Sequence, residues 1–305
     1  MTKTLSVTCR LLLILGVFFA YEFYSDRVSV ARAEPDIRLG EQIYRANCAA
    51  CHGDRGDGKG PEANRLETKP RDFTTGVYKF RSTPSGSLPL DQDIFRTISR
   101  GVRGTSMLAQ LHLSENERWA VTDYLKTFSQ RFKFEKPVDP VPIPARPPTS
   151  REIIALGNRM YTNAGCNQCH GVQGKGDGRS ATELKDESGN PIAPTNLTIK
   201  PFKSGPGPED LYRTISTGLN GTPMPSYADV LAPEERWALV FHILSIATQQ
   251  RPRGMMGLVG EEVQGMRIDM RAAMAGMMRG GGMMGRGGGM MDRNMRDMMK
   301  DMMGR

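Results

Sequence analysis

The sequence predicts an all-α chain of two tandem domains, joined by a proline-rich linker and closed by a low-complexity tail. Three observations carry this. Whole segments between residues 39 and 120 recur about 118 positions later, a period too long for a solenoid unit and suited to a duplicated domain. Within each copy the apolar residues fall at helical spacing, and little alternates as a strand would. Six prolines (Pro137, Pro140, Pro142, Pro144, Pro147 and Pro148) lie between the copies and favour an extended, semi-rigid spacer.

In chain order, residues 1–33 read as a signal peptide. Lys3 and Arg10 precede an uncharged run from Leu11 to Ala20, too short to span a bilayer, and Ala31-Arg32-Ala33 offers a small-x-small cleavage site. Glu22, Asp26 and Arg27 lie between run and site, so an uncleaved anchor is the alternative. Either way the protein is exported, to the periplasm or the outer face of the cytoplasmic membrane. Residues 34–132 form the first domain. Ile37, Leu39, Ile43 and Tyr44 predict one helix, and Leu90 to Ser99 a second with Asp91 and Asp93 near its start. Ser114-Glu115-Asn116-Glu117 has the form of a capping box opening a third, with Trp119, Val121, Tyr124, Leu125 and Phe128 at helical spacing. Residues 133–149 are the linker.

Residues 150–250 form the second domain. Leu39-Gly40 and Tyr44 return as Leu156-Gly157 and Tyr161, and Pro70-Arg71-Asp72-Phe73 as Pro194-Thr195-Asn196-Leu197. Asp93 to Ser99 returns as Asp210 to Ser216, and Glu117-Arg118-Trp119-Ala120 as Glu235-Arg236-Trp237-Ala238. Ala232-Pro233-Glu234-Glu235 opens the counterpart of the third helix.

Each domain contains Cys-x-x-Cys-His, at Cys48-Ala49-Ala50-Cys51-His52 and at Cys166-Asn167-Gln168-Cys169-His170. Two thiols at this spacing can form thioethers to the vinyl groups of one haem, and the adjacent histidine then reaches the iron from one face. A redox dithiol or half of a zinc site is the competing reading. It must explain why a histidine follows both pairs in a chain with four histidines. The fifth cysteine, Cys9, precedes the apolar run. Domains of about a hundred residues bury limited surface by themselves, and an inserted haem would complete each core.

A low-spin haem needs a sixth ligand, for which methionine is the soft choice that raises the reduction potential. Outside the tail and the initiator the methionines are 107, 160 and 224. Met107 and Met224 occupy matching Gly-Thr-x-Met loops, 55 and 54 residues after their histidines, whereas Met160 falls in a predicted helix and reads as core. The bland alternative is that both are packing residues. Pro223 and Pro225 brace Met224, while Ser106 and Leu108 flank Met107, so the first haem is expected to lose its methionine more readily. His112 is a possible substitute ligand or a surface histidine, and His242 a packing or surface residue. The proximal imidazoles need an acceptor on their other nitrogen, for which a backbone carbonyl near Pro70 or Pro194 is the candidate. Arg81 and Lys203 either pair with propionates or are ordinary solvated charges.

With these residues in place, the chain resembles class I cytochromes c, specifically the exported dihaem ones with two fused domains. The resemblance covers residues 35–130 and 150–248. It implies that Cys48, Cys51, Cys166 and Cys169 attach two haem c groups and that His52, Met107, His170 and Met224 are axial iron ligands. It also implies that the first and last helices of each domain cross beside the haem. The function it implies is one-electron transfer between a redox donor and acceptor, with no substrate chemistry. A dihaem peroxidase with one open haem is the alternative enzyme reading, and a subunit of a larger membrane-associated oxidoreductase is a third.

Residues 251–305 hold sixteen of the twenty methionines, arranged on helical faces and separated by glycine runs. Besides disorder, they suit docking on a partner, on a membrane surface, or on Cu(I), which soft sulfur favours. The net charge of +8 is not concentrated on the body: residues 34–250 carry 27 basic and 25 acidic side chains, so no nucleic-acid partner is expected.

Overall fold

A computed structural model describes residues 34–136 and 138–250. The signal-peptide and tail expectations, copper binding and tail docking included, lie outside the described residues. The fold is mainly helical, and the two copies of the repeat build two lobes around separate cores.

In the first lobe α1 (Ile37–Asn47) is opened by Asp36, whose carboxylate accepts from Leu39 N at 2.9 Å. One face of α1 buries Ile43 and Tyr44. A single turn, α2 (Ala49–His52), follows at once, so the haem-type motif is itself helical. The predicted second helix is α3 (Asp91–Arg100). Buried Asp93 caps it from within, accepting from Leu90 N at 3.0 Å and Ser82 N at 2.8 Å. The capping box forms as expected at α4 (Glu115–Lys126): Ser114 Oγ accepts from Glu117 N, and the Glu117 carboxylate accepts from Ser114 N at 2.7 Å. A short α5 (Arg131–Phe134) ends the lobe.

The second lobe repeats the order with α6 (Arg151–Asn163), α7 (Cys166–His170), α8 (Pro208–Thr217) and α9 (Pro233–Ile246). It adds a two-residue parallel pairing of β1 (Ile199–Lys200) with β2 (Gln249–Gln250), the small exception to an all-α reading. Among the described residues no helix is long and apolar enough to cross a membrane.

In each lobe the first and last long helices cross, α1 on α4 and α6 on α9. The crossings leave no room for a side chain at either glycine: a Cβ on Gly40 would strike the Ala120 carbonyl, and one on Gly157 the Ala238 carbonyl. Ile43, Tyr44, Ile94, Val121 and Leu125 are among the first core; Tyr161, Tyr212, Trp237, Leu239 and Val240 are among the second. The repeat extends to ring pairs, Phe95 on Trp119 at 4.0 Å and Tyr212 on Trp237 at 4.6 Å between centroids.

The linker is extended, and it is laid against both lobes. Val141 N donates to Ser82 O at 2.8 Å, Ile143 packs on the second core, and Arg146 pairs with Glu209 at 3.7 Å. The lobes also touch each other directly, and residues 34–250 fall within one compact unit.

Candidate functional site

Each Cys-x-x-Cys-His turn is held at its histidine end by the same two bonds. The first runs from a tyrosine on the preceding helix. Tyr44 Oη donates to Gly53 O at 2.7 Å, and Tyr161 Oη to Gly171 O at 2.8 Å, both buried. The matching tyrosines were visible in the repeat, but not the carbonyl just past the motif that they hold. Tyr44→Phe removes this donor while Gly53 O keeps the Gly56 N–H at 3.0 Å, and is expected to cost about 0.5–1.5 kcal/mol, the net worth of one hydrogen bond. Denaturant unfolding of the haem-loaded protein, followed at the first haem, measures it.

The second bond orients the imidazole. His52 Nδ1 donates to Arg71 O at 3.1 Å, and His170 Nδ1 to Thr195 O at 2.9 Å. A carbonyl can only accept, so the proton is on Nδ1 and Nε2 is the nitrogen left for a metal. The acceptors sit one residue beyond Pro70 and Pro194, in the segments the repeat singled out. Burial holds both imidazoles below the ordinary histidine pKa, which keeps them neutral. Phe73 stacks on His52 at 4.5 Å between centroids and fixes the ring plane; in the second lobe the matching position is the buried Leu197.

Cys48, Cys51, Cys166 and Cys169 form no disulfide and lie half-buried beside their histidines. Burial pushes the Cys48 thiol up to about 11 and raises that of Cys166. A redox dithiol needs the opposite, a pKa lowered by nearby positive charge, so the dithiol reading fits poorly. Among the described residues no three His, Cys, Asp or Glu side chains converge as a metal-binding group, so the zinc reading also lacks its donor set. The donors fit a covalently held haem better: two thiols at thioether spacing, one neutral imidazole and an adjoining apolar core. Tyr78 Oη is buried without a hydrogen-bond partner, an orphan that an acceptor on a bound cofactor would satisfy.

Met107 and Met224 are half-buried in loops with one internal design. Val102 N donates to Met107 O at 2.8 Å and Met107 N to Thr105 Oγ1 at 3.1 Å. Leu219 N donates to Met224 O at 3.1 Å and Met224 N to Thr222 Oγ1 at 3.3 Å. The threonine of Gly-Thr-x-Met therefore folds the loop back on the methionine amide. Met160 packs on the second core, as expected of it. His112 Nε2 meets Asn47 Oδ1 at 3.0 Å, and His242 is buried with its ring 5.2 Å from that of Tyr161.

Arg81 is not a solvated charge. It is 2% exposed, and its guanidinium donates to Thr217 O at 2.7 Å, Gly218 O at 3.4 Å and Pro84 O at 3.3 Å. It reaches across to the second lobe, where the carbonyl end of α8 receives its charge. With Lys79, Arg96, Arg100, Lys203 and Arg213 it lines a cavity of about 170 Å³ between the lobes, where Asp210 is a carboxylate in the wall. Burial drives Lys79 down to about 8 and Arg81 down to about 10. A basic cleft of this kind favours bound negative charge.

Comparison with known proteins agrees with this geometry. Residues 35–125 match the family model of cytochrome c oxidase, cbb3-type, subunit III, and residues 154–247 match that of cytochrome c. No curated protein matches the chain. Among solved structures, a chain of a reducing HAO-like protein complex from Kuenenia stuttgartiensis is 43% identical, with a TM-score of 0.68. That match covers 70% of this chain and 97% of the other.

Proposed function

Because this chain belongs to the cytochrome c family, as a dihaem member with covalent haem c at Cys48/Cys51 and at Cys166/Cys169, we propose that it carries single electrons between redox proteins outside the cytoplasm, each iron held by histidine and methionine. The observation that carries this reading is the duplicated pair of a carbonyl-oriented histidine and a Gly-Thr-x-Met loop, in both lobes rather than one. When bound, the haem irons supply the Fe(III)/Fe(II) couple.

The chain's own residues do the rest. His52 and His170, neutral and fixed by Arg71 O and Thr195 O, present Nε2. Met107 and Met224 offer a neutral, soft sulfur from loops whose threonines fix the approach, which favours the reduced iron. Lys79 and Lys203, which line the inter-lobe cavity, are the groups suited to balance propionate charge. Export to the periplasm or the outer membrane face is part of the reading, supported by the N-terminal apolar run and by the covalent attachment motif.

One observation favours a second, compatible reading, that of a subunit in a larger assembly. The 43%-identical relative is a chain of a protein complex, and here the Met-rich residues 251–305 would serve for docking. Co-purification from the native source separates a stable subunit from a free carrier.

Potentiometric titration with spectra of both oxidation states tests the function. We expect two one-electron waves and low-spin, six-coordinate spectra throughout. A high-spin iron that turns over peroxide would replace the carrier with the peroxidase reading.

A further inference from the structure

The lobes depart from strict repetition at two places, and both departures meet on one loop. From the proximal histidine to its carbonyl partner is 19 residues in the first lobe and 25 in the second. The extra residues of the second lobe form a self-supporting turn: Asp186 N donates to Asn190 O at 2.9 Å, and Asp186 Oδ1 accepts from Ser188 N at 3.0 Å and Asn190 N at 2.9 Å. The turn carries Glu187. Its carboxylate meets Arg71 of the first lobe at 2.6 Å, and its N–H donates to Gly221 O at 3.1 Å.

The first lobe has the longer segment ahead of its second helix, between Phe80 and Asp93 against Phe202 and Asp210. That segment carries Ser85 and Gly86, which donate to Asn220 Oδ1 at 3.3 and 3.1 Å. Arg81 adds its bonds to Thr217 O and Gly218 O. Residues 217–221, which lead into Met224, are thus held from outside at successive positions. Gly221 is at φ +74°, where a Cβ would meet the Glu187 carboxylate at 2.7 Å and Arg71 Nη1 at 2.9 Å, so the ion pair closes directly over the loop backbone. The two insertions have no repeat partners. At the matching start of the first loop the second lobe brings the Arg100–Asp210 pair, at 3.4 Å and with the arginine half-exposed.

We propose that the first lobe is a clamp on the distal loop of the second, with Arg71, Glu187 and Asn220 as positioning residues for Met224. The proposal rests on the reading of Met224 as a ligand. Arg71 has two ends in it: its carbonyl orients His52, and its guanidinium, 17% exposed, holds the second lobe's loop through Glu187. Closure of the second iron is thereby coupled to lobe docking, and by linkage the coupling is reciprocal.

Carbon monoxide binding to each ferrous haem of the full dihaem protein tests this, with haem content and helicity as folding controls. Met224→Ala first identifies the second haem by opening it. Arg71→Gln and Glu187→Gln are then expected to raise carbon monoxide affinity at the second haem by on the order of fivefold or more, the scale of a typical coupling between sites. The double variant should match the singles rather than their sum. Asn220→Ala, a milder change, should act in the same direction. If Met224→Ala leaves both irons closed, the ligand reading falls and the clamp with it. If Met224→Ala opens the second iron while Arg71→Gln disturbs only the adjacent first haem, the clamp alone is overturned.

Discussion

Gly157→Ala is expected to destabilise the second lobe by about 3 kcal/mol or more, and Gly40→Ala to do the same to the first. By helix propensity alone the sign would be opposite, since alanine in a helix interior is favoured over glycine by about 1 kcal/mol. The crossing decides it. A Cβ on Gly157 would fall on the Ala238 carbonyl oxygen, within 2.5 Å of its carbon and 2.8 Å of His242 Cβ. On Gly40 it would fall on the Ala120 carbonyl oxygen, 2.8 Å from Tyr124 Cβ. Backbone cannot swing aside as a long side chain can, so α6 must move off α9 and open the contacts around Tyr161 and Trp237. A domain stable by about 5–15 kcal/mol loses a large part of its margin. Denaturant unfolding of the haem-loaded variants measures this. A gain in stability in either variant would mean that the helices do not cross at these glycines.

These glycines show what could be read in the sequence and what could not. Gly40 and Gly157 stand out as repeat partners, as do Ala120 and Ala238, yet the pairing of one with the other is a fact of tertiary packing. The start of α4 was legible because its signal is local, Ser114 bonding the amide of its own first turn; Asp36 and Ser150 do the same for α1 and α6 but were not singled out. The imidazole acceptor was legible to within one residue, because Pro70 and Pro194 mark a fixed loop shape in both lobes. Arg81 was not. Its expected alternatives were a propionate partner or solvent, and it donates to carbonyls of the other lobe while 2% exposed. Duplication records how each domain folds on itself, but not how two copies dock. The residues that manage docking, Arg71, Glu187, Ser85 and Asn220, lie where the copies differ or carry no repeat signal.

The second large effect is on the irons. Met224→Ala and Met107→Ala are each expected to lower the reduction potential of their own haem by on the order of 0.1 V or more, a fraction of the roughly 0.8 V over which axial ligation moves haem potentials. The sign follows from the proposed ligation: a neutral thioether favours Fe(II), and its removal takes that preference away. Each variant should also leave its iron able to bind carbon monoxide, and the other haem should keep its potential more nearly. In the parent protein the two irons should not open equally. Both methionine amides bond a loop threonine, so the inner design does not distinguish them. The surroundings do. Pro223 and Pro225 restrict the backbone on either side of Met224, whereas Ser106 and the exposed Leu108 flank Met107. The stretch just beyond Met224 is tied down as well, by Ser226 Oγ to Ser216 O at 2.6 Å and Tyr227 Oη to Ala164 O at 3.2 Å. Opening the second loop must break more bonds for the same exposed iron. Titration of the fully reduced protein should therefore load carbon monoxide on the first haem before the second. The reverse order would show that proline bracing and these bonds do not govern which methionine leaves.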